Sequence, residues 1–246
     1  MKIFKLLIIG DEILSGKRKD CHLDNLISAL SDYGFKLNQS IIIGDEPELI
    51  VATLRSICDE NSVVFCCGGI GATPDDYTRQ CAAEAFNQEF LKHAEATALI
   101  EKQFGEAAYP KRILMAYLPK QARVIPNPIN QVPGFSVGDC HFMPGFPQMA
   151  EPMMKWVLAH YYAQHKEENA DVERSVWIYN TPESELIDLM NLILEEYEGV
   201  KVASLPKVDE RHSKVDLAIK GKQENVDAGF EFLLTYLSQH NIAFEI

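Results

Sequence analysis

An unbroken apolar run, Val63-Val-Phe-Cys-Cys67, gives way to Gly68-Gly-Ile-Gly71 and then to Ala72-Thr-Pro-Asp-Asp76. A run without polar alternation is the pattern of a strand covered on both faces, which places it inside a parallel sheet. Gly68, Gly69 and Gly71 let the chain turn sharply after the strand and bring backbone N–H groups close to a ligand. The spacing then predicts a helix with Thr73 as N-cap, Pro74 as its first residue and Asp75 and Asp76 in the first turn, where the dipole favours negative charge. Thr-Pro-Asp-Asp would also serve a well-capped helix with no ligand, although three glycines exceed what a plain turn needs. The loop is not a dinucleotide fingerprint, since Pro74 stands where a third spaced glycine is required, and it lacks the Gly-Lys-Ser/Thr of a Walker A loop. Two carboxylates beside it would repel a phosphate unless a divalent cation or a proton intervened.

The rest of the first half repeats the theme. Residues 3 to 9 form a second apolar run that delivers Gly10-Asp11-Glu12 to a loop, at the strand end where open α/β sheets bind ligands. From Asp20 onward, Leu23, Leu26, Ile27 and Leu30 follow helical spacing, and Gly34 suits the stop. A strand over 37 to 43, a helix from Pro47 and the strand at 63 to 67 complete a β-α-β-α-β series. In the helix expected over 76 to 87, Asp75 and Arg79 are four apart, so Arg79 is either a salt-bridge partner or a fork aimed at a phosphate. Another amphipathic helix spans 92 to 105. Six prolines between Leu118 and Pro147 then punctuate short strand-like pieces, which reads either as a rigid wall beside a site or as a surface excursion. Gly134-Phe-Ser-Val-Gly138 matches G-x-S-x-G in form, but without the preceding apolar strand and following helix that a nucleophile elbow needs. A helix follows from Pro147 to about Tyr162, and the polar tract Gln164 to Asp171 reads as a linker. Beyond it come a strand at 172 to 179, a helix capped by Thr181-Pro182-Glu183, strands near 201 to 205 and 214 to 220, a helix over 223 to 239 and a strand at 242 to 246. That β-α-β-β-α-β order is ferredoxin-like.

With 246 residues the chain can bury about 70–75% of its unfolded surface. Its net charge of −13 argues against a nucleic-acid-binding surface or a general affinity for anionic membranes. The six cysteines show no CxxC pairing and read as buried thiols of a reducing compartment, while the scattered histidines offer no metal motif. Any metal is expected on oxygen ligands. The N-terminus reaches Asp11 after too few apolar residues for a signal peptide, and no later run is long enough to span a bilayer, so a cytoplasmic protein is expected.

Taken together, Gly10-Asp-Glu-Ile-Leu-Ser-Gly16 with Asp20, Gly68 to Asp76 with Thr78-Arg79, Asn127-Pro128, Pro133-Gly134-Phe135 and Pro144-Gly145-Phe-Pro147 resemble the competence/damage-inducible protein A (CinA) family. The resemblance implies a three-layer α/β/α, mostly parallel MoaB/Mog-like domain over residues 1–165, of the molybdopterin-binding type, and a small α+β ferredoxin-like domain over 172–246. It implies either metal-dependent hydrolysis of a nucleotide pyrophosphate, as in ADP-ribose or FAD, or a molybdopterin-binding or adenylyl-transfer step of molybdenum cofactor biosynthesis; a binding protein without catalysis is a third class. Asp76 and Asp75 are the expected catalytic residues. Asp11, Glu12, Asp20 and Asp76 would hold a magnesium, manganese or cobalt ion. Gly10, Asp11, Gly68, Gly69, Gly71, Ala72, Thr73, Thr78, Arg79, Asn127, Pro133, Gly134 and Gly145 would contact a phosphorylated nucleotide or pterin. The resemblance also implies a homo-oligomer. The sequence departs from the family pattern at Ala72, where proline is usual, at Cys21-His22 for Thr-Asn, and at Met149 for glutamate, with Glu151 two residues on. No amidase segment follows before Ile246, so nicotinamide-nucleotide deamidation is not expected.

Overall fold

The structure is a computed structural model and describes residues 2–165, 171–208 and 213–246. It divides into two compact units, residues 1–166 and 167–246. Most of the tract expected as a linker lies outside the described residues.

The first unit is built on a six-stranded sheet. Strands β1 (Ile3–Ile9), β2 (Leu37–Ile43) and β3 (Ser62–Cys67) run parallel, with β1 between β2 and β3. Helices α2 (His22–Ser31) and α3 (Pro47–Ile57) make the crossovers, and a single turn, α1 (Asp11–Leu14), follows β1. The hairpin β7 (Gly134–Val137) and β8 (Cys140–Met143) adds β8 parallel to β3, and β6 (Arg123–Ile125) closes the far edge, giving the order β2-β1-β3-β8-β7-β6. A small separate ladder pairs β4 (Phe90–Lys92) with β5 (Tyr117–Pro119).

Every residue of β3 is buried, as its apolar run requires. Its side chains alternate between two cores. Val63, Phe65 and Cys67 pack with Leu26 of α2 and with Met153 of α6 (Pro147–Val157). Val64 and Cys66 pack on the opposite face with Leu54 of α3, Ala82 of α4 (Thr78–Ala85) and Ile100 of α5 (Ala94–Phe104). Helices on both faces of a mostly parallel sheet make the three-layer α/β/α arrangement. The connections from β1 and β3 leave their C-terminal ends toward opposite edges of the sheet. That reversal opens a crevice, the usual ligand position in such folds.

One expectation about the cysteines is corrected. Cys58, at the end of α3, is paired in a disulfide with Cys140, at the start of β8, with Cα atoms 6.5 Å apart. The pair lies 82 residues apart in sequence, so local spacing holds no trace of it. Cys66, Cys67 and Cys81 are buried free thiols, and burial raises all three above the ordinary thiol range.

The β7–β8 hairpin carries a buried polar chain. Ser136 and His141 Nδ1 are 2.8 Å apart, His141 Nε2 and the Tyr162 hydroxyl 2.8 Å, and that hydroxyl donates to Asp139 at 2.9 Å. Because Tyr162 donates to the carboxylate, His141 donates through Nε2 and accepts the Ser136 proton at Nδ1. Ser136 thus sits mid-strand and fully buried, with none of the geometry of a nucleophile elbow. Burial pushes His141 down to about 3, although the charge of Asp139 opposes this. The unfolded chain therefore takes up a proton near pH 6.5 that the folded chain refuses until about pH 3. Between those values stability falls as pH falls, with a slope approaching about 1.4 kcal/mol per pH unit from this group. Urea midpoints measured between pH 7 and pH 5 should decline for the natural protein and flatten for His141→Gln; equal slopes would contradict the assignment.

The second unit is a four-stranded antiparallel sheet of β9 (Val172–Tyr179), β10 (Lys201–Val208), β11 (Ser213–Gly221) and β12 (Phe244–Glu245), in the order β10-β11-β9-β12. Counting only these strands from the N-terminus, the order is 2-3-1-4, that of a ferredoxin-like unit. Helices α7 (Ile187–Glu196) and α8 (Gln223–Gln239) bury Leu189, Ile193, Phe230 and Leu233 in a core with Val176, Ile178, Leu217 and Ile219. Thr181 does not cap α7: its hydroxyl donates to Tyr179 O, and a short 3-10 turn precedes the helix.

Candidate functional site

Three loops meet at the C-terminal ends of β1, β3 and β8. Gly68 and Gly69 leave β3 with φ of +113° and +65°, a region open to glycine and strained for other residues. A Cβ on Gly68 would lie 2.0 Å from Ile9 O, and one on Gly69 2.3 Å from Thr78 Oγ1. Gly145, after β8, approaches so closely that its Cβ would stand 3.3 Å from Gly68 Cα. The glycines thus serve close packing of loops.

The helix expected from Thr73 begins instead at Thr78. Thr78 N–H is taken by Gly69 O at 3.0 Å, which ties the first helical turn to the glycine loop and leaves residues 73–76 to close their own turn. There Asp76 N–H donates to Thr73 O at 3.0 Å, while Asp76 Oδ2 accepts Thr73 N–H at 2.8 Å and the Thr73 hydroxyl. Among the described residues no hydrogen bond reaches Asp76 Oδ1. The aspartates are therefore loop residues, not complements of a helix dipole.

Arg79 takes neither role expected of it. Its side chain is buried and donates to Gly71 O at 2.7 Å, to Tyr117 O at 3.1 Å and to Leu114 O. Burial lowers the guanidinium to about 10, against the attraction of Asp76. With Nη1 and Nη2 on three carbonyls, and Nε buried without a partner among the described residues, the guanidinium is a clamp between the glycine loop and the 114–117 segment.

Each of the four carboxylates expected to share a cation has partners of its own. Asp20 accepts from the N–H groups of His22 and Leu23 at 3.0 and 3.1 Å and sits 2.8 Å from His22 Nδ1. Burial raises that carboxyl, but these hydrogen bonds outweigh it and hold it below its ordinary value. Glu12 pairs with Arg18 at 3.3 Å. Asp11 faces Asp45: Asp11 N–H donates to Asp45 Oδ2 at 2.9 Å, and Asp45 N–H to Asp11 Oδ1 at 3.3 Å. Burial, joined by the charges of Asp11, Glu12 and Asp75, raises the Asp45 carboxyl despite the Asp11 N–H. Among the described residues no three histidine, cysteine, aspartate or glutamate side chains converge as metal ligands.

Beside the glycine loop lies a cavity of about 440 Å³. Gly69, Gly71, Ala72, Thr73 and Asp76 form one wall, and Asn127 and Gly145 contribute from the two later loops. Gly10, Asp11, Glu12, Asp20, Gly68, Asp75, Thr78, Arg79, Pro133 and Gly134 do not line it. Thr78 is buried beneath Gly69 with its hydroxyl unpartnered, and a Cβ on Gly134 would stand 2.4 Å from Phe142 O. The Asn127 carboxamide is spent on its own loop, donating to Asn130 Oδ1 and Val132 O and accepting Ile129 N–H.

Sequence reasoning missed much of the remaining wall, Phe104, Arg112, Met115, Asn130, Phe146 and Met149 among it. Phe104 and Met115 come from helical segments whose spacing speaks only of packing. Phe146 follows Gly145 in a motif already singled out, and is fixed by Arg18, whose guanidinium lies 5.2 Å from its ring and donates to Gly145 O at 3.1 Å. Asp45 carried a visible signal as well. Ile43-Gly44-Asp45 repeats the strand-glycine-acid pattern of Ile9-Gly10-Asp11.

Residues 5–164, which hold the whole site, match the sequence profile of the probable molybdopterin binding domain. The chain belongs to that family. Relatives of this molybdopterin binding domain protein include a CinA-like protein of Desulforapulum autotrophicum, 30% identical across 100% of the chain and 62% of the relative. A second CinA-like protein, from Citrifermentans bemidjiense, is 34% identical over 61% of the chain and 38% of its own length. The chain therefore spans less than two thirds of these CinA-like proteins. Protein Ta0487 of Thermoplasma acidophilum is 27% identical over 92% of the chain and 89% of its own length. Among solved structures, the protein CinA of unknown function from the same organism superposes with a TM-score of 0.59 at 29% identity, over 64% of this chain and 96% of that one. Among the described residues no helix is long and apolar enough to cross a membrane.

Proposed function

We propose that the cavity binds a phosphorylated heterocycle, a molybdopterin-type pterin or a nucleotide, and that the reaction on it is hydrolysis of a pyrophosphate of the ADP-ribose or FAD kind. One observation carries the reading: a glycine loop and a free carboxylate oxygen face an apolar wall across one cavity. The N–H groups of Gly69, Gly71 and Ala72 take no acceptor among the described residues, so they remain available to an anion. Phe104, Met115, Phe146 and Met149 supply the flat apolar surface that an aromatic ring system needs.

The chemistry assigned to the chain's own groups is short. Backbone N–H groups orient the phosphate and stabilise charge as it builds on its oxygens. Asp76 Oδ1, its partner oxygen held by Thr73, accepts the proton of an attacking water. The water oxygen bonds to phosphorus as the bridging P–O bond breaks, and the electron pair leaves with the departing phosphate. Among the described residues no three histidine, cysteine or carboxylate side chains converge as metal ligands, so no step here runs through a cation. Molybdopterin binding without turnover is the alternative on the same wall.

Incubation with ADP-ribose or FAD, with and without Mg²⁺, Mn²⁺ or Co²⁺, followed by chromatography, tests the reaction. AMP should appear, and Asp76→Asn, which keeps an acceptor for Thr73, should slow its release at least about 100-fold while the fold persists. Absence of AMP together with tight pterin binding would remove the hydrolase and leave the binding protein.

A further inference from the structure

We infer that Arg112 is the anion-recognising residue of this cavity, deciding between phosphorylated ligands and their phosphate-free counterparts; the inference rests on the reading of the cavity as a ligand site. Of the side chains that line the cavity, Arg112 is the one cation and Asp76 the one anion among the described residues. In this acidic chain several cations are spent on carboxylates, as Arg18 is on Glu12, Arg55 on Glu84 and Lys120 on Glu89. Among the described residues Arg112 has no carboxylate partner. Its Nη1 donates to Ala107 O at 2.7 Å, and its guanidinium lies 4.8 Å from the centre of the Phe104 ring. A neutral carbonyl and an aromatic face fix the direction of the group without cancelling its charge.

Among the described residues that arrangement leaves Nε and Nη2 to donate as a fork, the geometry that meets two oxygens of one phosphate. The charge also offsets Asp75 and Asp76, the carboxylates beside the glycine loop that oppose an anion there. Asn130 adds a neutral donor. Its Oδ1 accepts from Asn127 and Val132, while its Nδ2 meets only the Met149 thioether, at 3.6 Å. A pyrophosphate placed by these groups turns one phosphate toward Arg112 and Asn130, and leaves the other at the glycine-loop N–H groups beside Asp76 Oδ1.

The test titrates the natural protein, Arg112→Gln and Arg112→Lys with inorganic pyrophosphate, ADP-ribose and adenosine by calorimetry, after circular dichroism has established that each variant is folded. Arg112→Gln should weaken pyrophosphate and ADP-ribose at least about 10-fold, and adenosine less than about twofold. Arg112→Lys should recover part of the loss, keeping the charge without the fork. Pyrophosphate binding that depends on Arg112, with no affinity for ADP-ribose or pterin, would uphold Arg112 and overturn the proposed function. Equal ADP-ribose affinity in the natural protein and Arg112→Gln would overturn Arg112 and leave the proposed function standing. Failure of the natural protein to bind any of the anions overturns the inference.

Discussion

Gly68→Ala is expected to lower the melting temperature by roughly 10 °C, more than any other single-methyl addition at the loops around the cavity. The cause is twofold. At φ +113° an alanine is strained, and its Cβ would stand 2.0 Å from Ile9 O, an atom at the C-terminal end of β1. Strain of about 1–3 kcal/mol and overpacking of a similar size combine to about 4 kcal/mol, a large part of a typical domain's 5–15. Gly138→Ala is the control. It has φ +59° but open space around the added methyl, so only the strain remains. Scanning calorimetry of both variants separates conformation from collision; equal losses would show that Ile9 O is not the obstacle.

Arg79→Met should cost about as much by a different route. The methionine fills most of the volume but offers nothing to Gly71 O, Leu114 O and Tyr117 O. Hydrogen bonds from a charged donor contribute about 1.5–3 kcal/mol each, and part of that loss is recovered if water reaches the carbonyls, so a net loss of about 4 kcal/mol is expected. Arg79→Lys should recover only part of it, because one ammonium cannot span three carbonyls that a planar fork reaches. Both sides of the cavity depend on this clamp, so ligand affinity should fall alongside stability. Denaturant unfolding joined to ligand titration checks the pair. A variant of unchanged stability that has lost only phosphate affinity would restore Arg79 to the phosphate-binding role that its sequence position first suggested.

The fold was readable because β1 and β3 are largely apolar runs of the kind a parallel sheet covers on both faces, and because helical spacing resumes between the strands. The ferredoxin-like order of the second unit was legible for the same reason. The site was readable in part. Glycines after a buried strand located one wall, and Gly69, Gly71, Ala72, Thr73, Asp76, Asn127 and Gly145 do stand on the cavity. What sequence could not supply was direction. Asp75 and Arg79 sit four apart, yet the helix that would have paired them begins only at Thr78. Asp11 and Asp45 meet through reciprocal backbone bonds that no periodicity encodes, and Arg112 lies in a 3-10 segment whose orientation depends on Ala107 and Phe104. The disulfide between Cys58 and Cys140 is equally a product of tertiary contact. Residue types at chain punctuation reveal where a site is, whereas hydrogen-bond commitments decide which of its groups stay free.

The central claim is that one cavity, between the glycine loop and the Phe104–Met149 wall, holds a phosphorylated heterocycle. A crystal structure grown in saturating ADP-ribose tests it most directly. The account predicts a ring system against Phe146 and Met149, within reach of Asp76 Oδ1, and a phosphate near the glycine-loop N–H groups. Electron density for the nucleotide elsewhere on the chain, with this cavity holding only solvent, would contradict it.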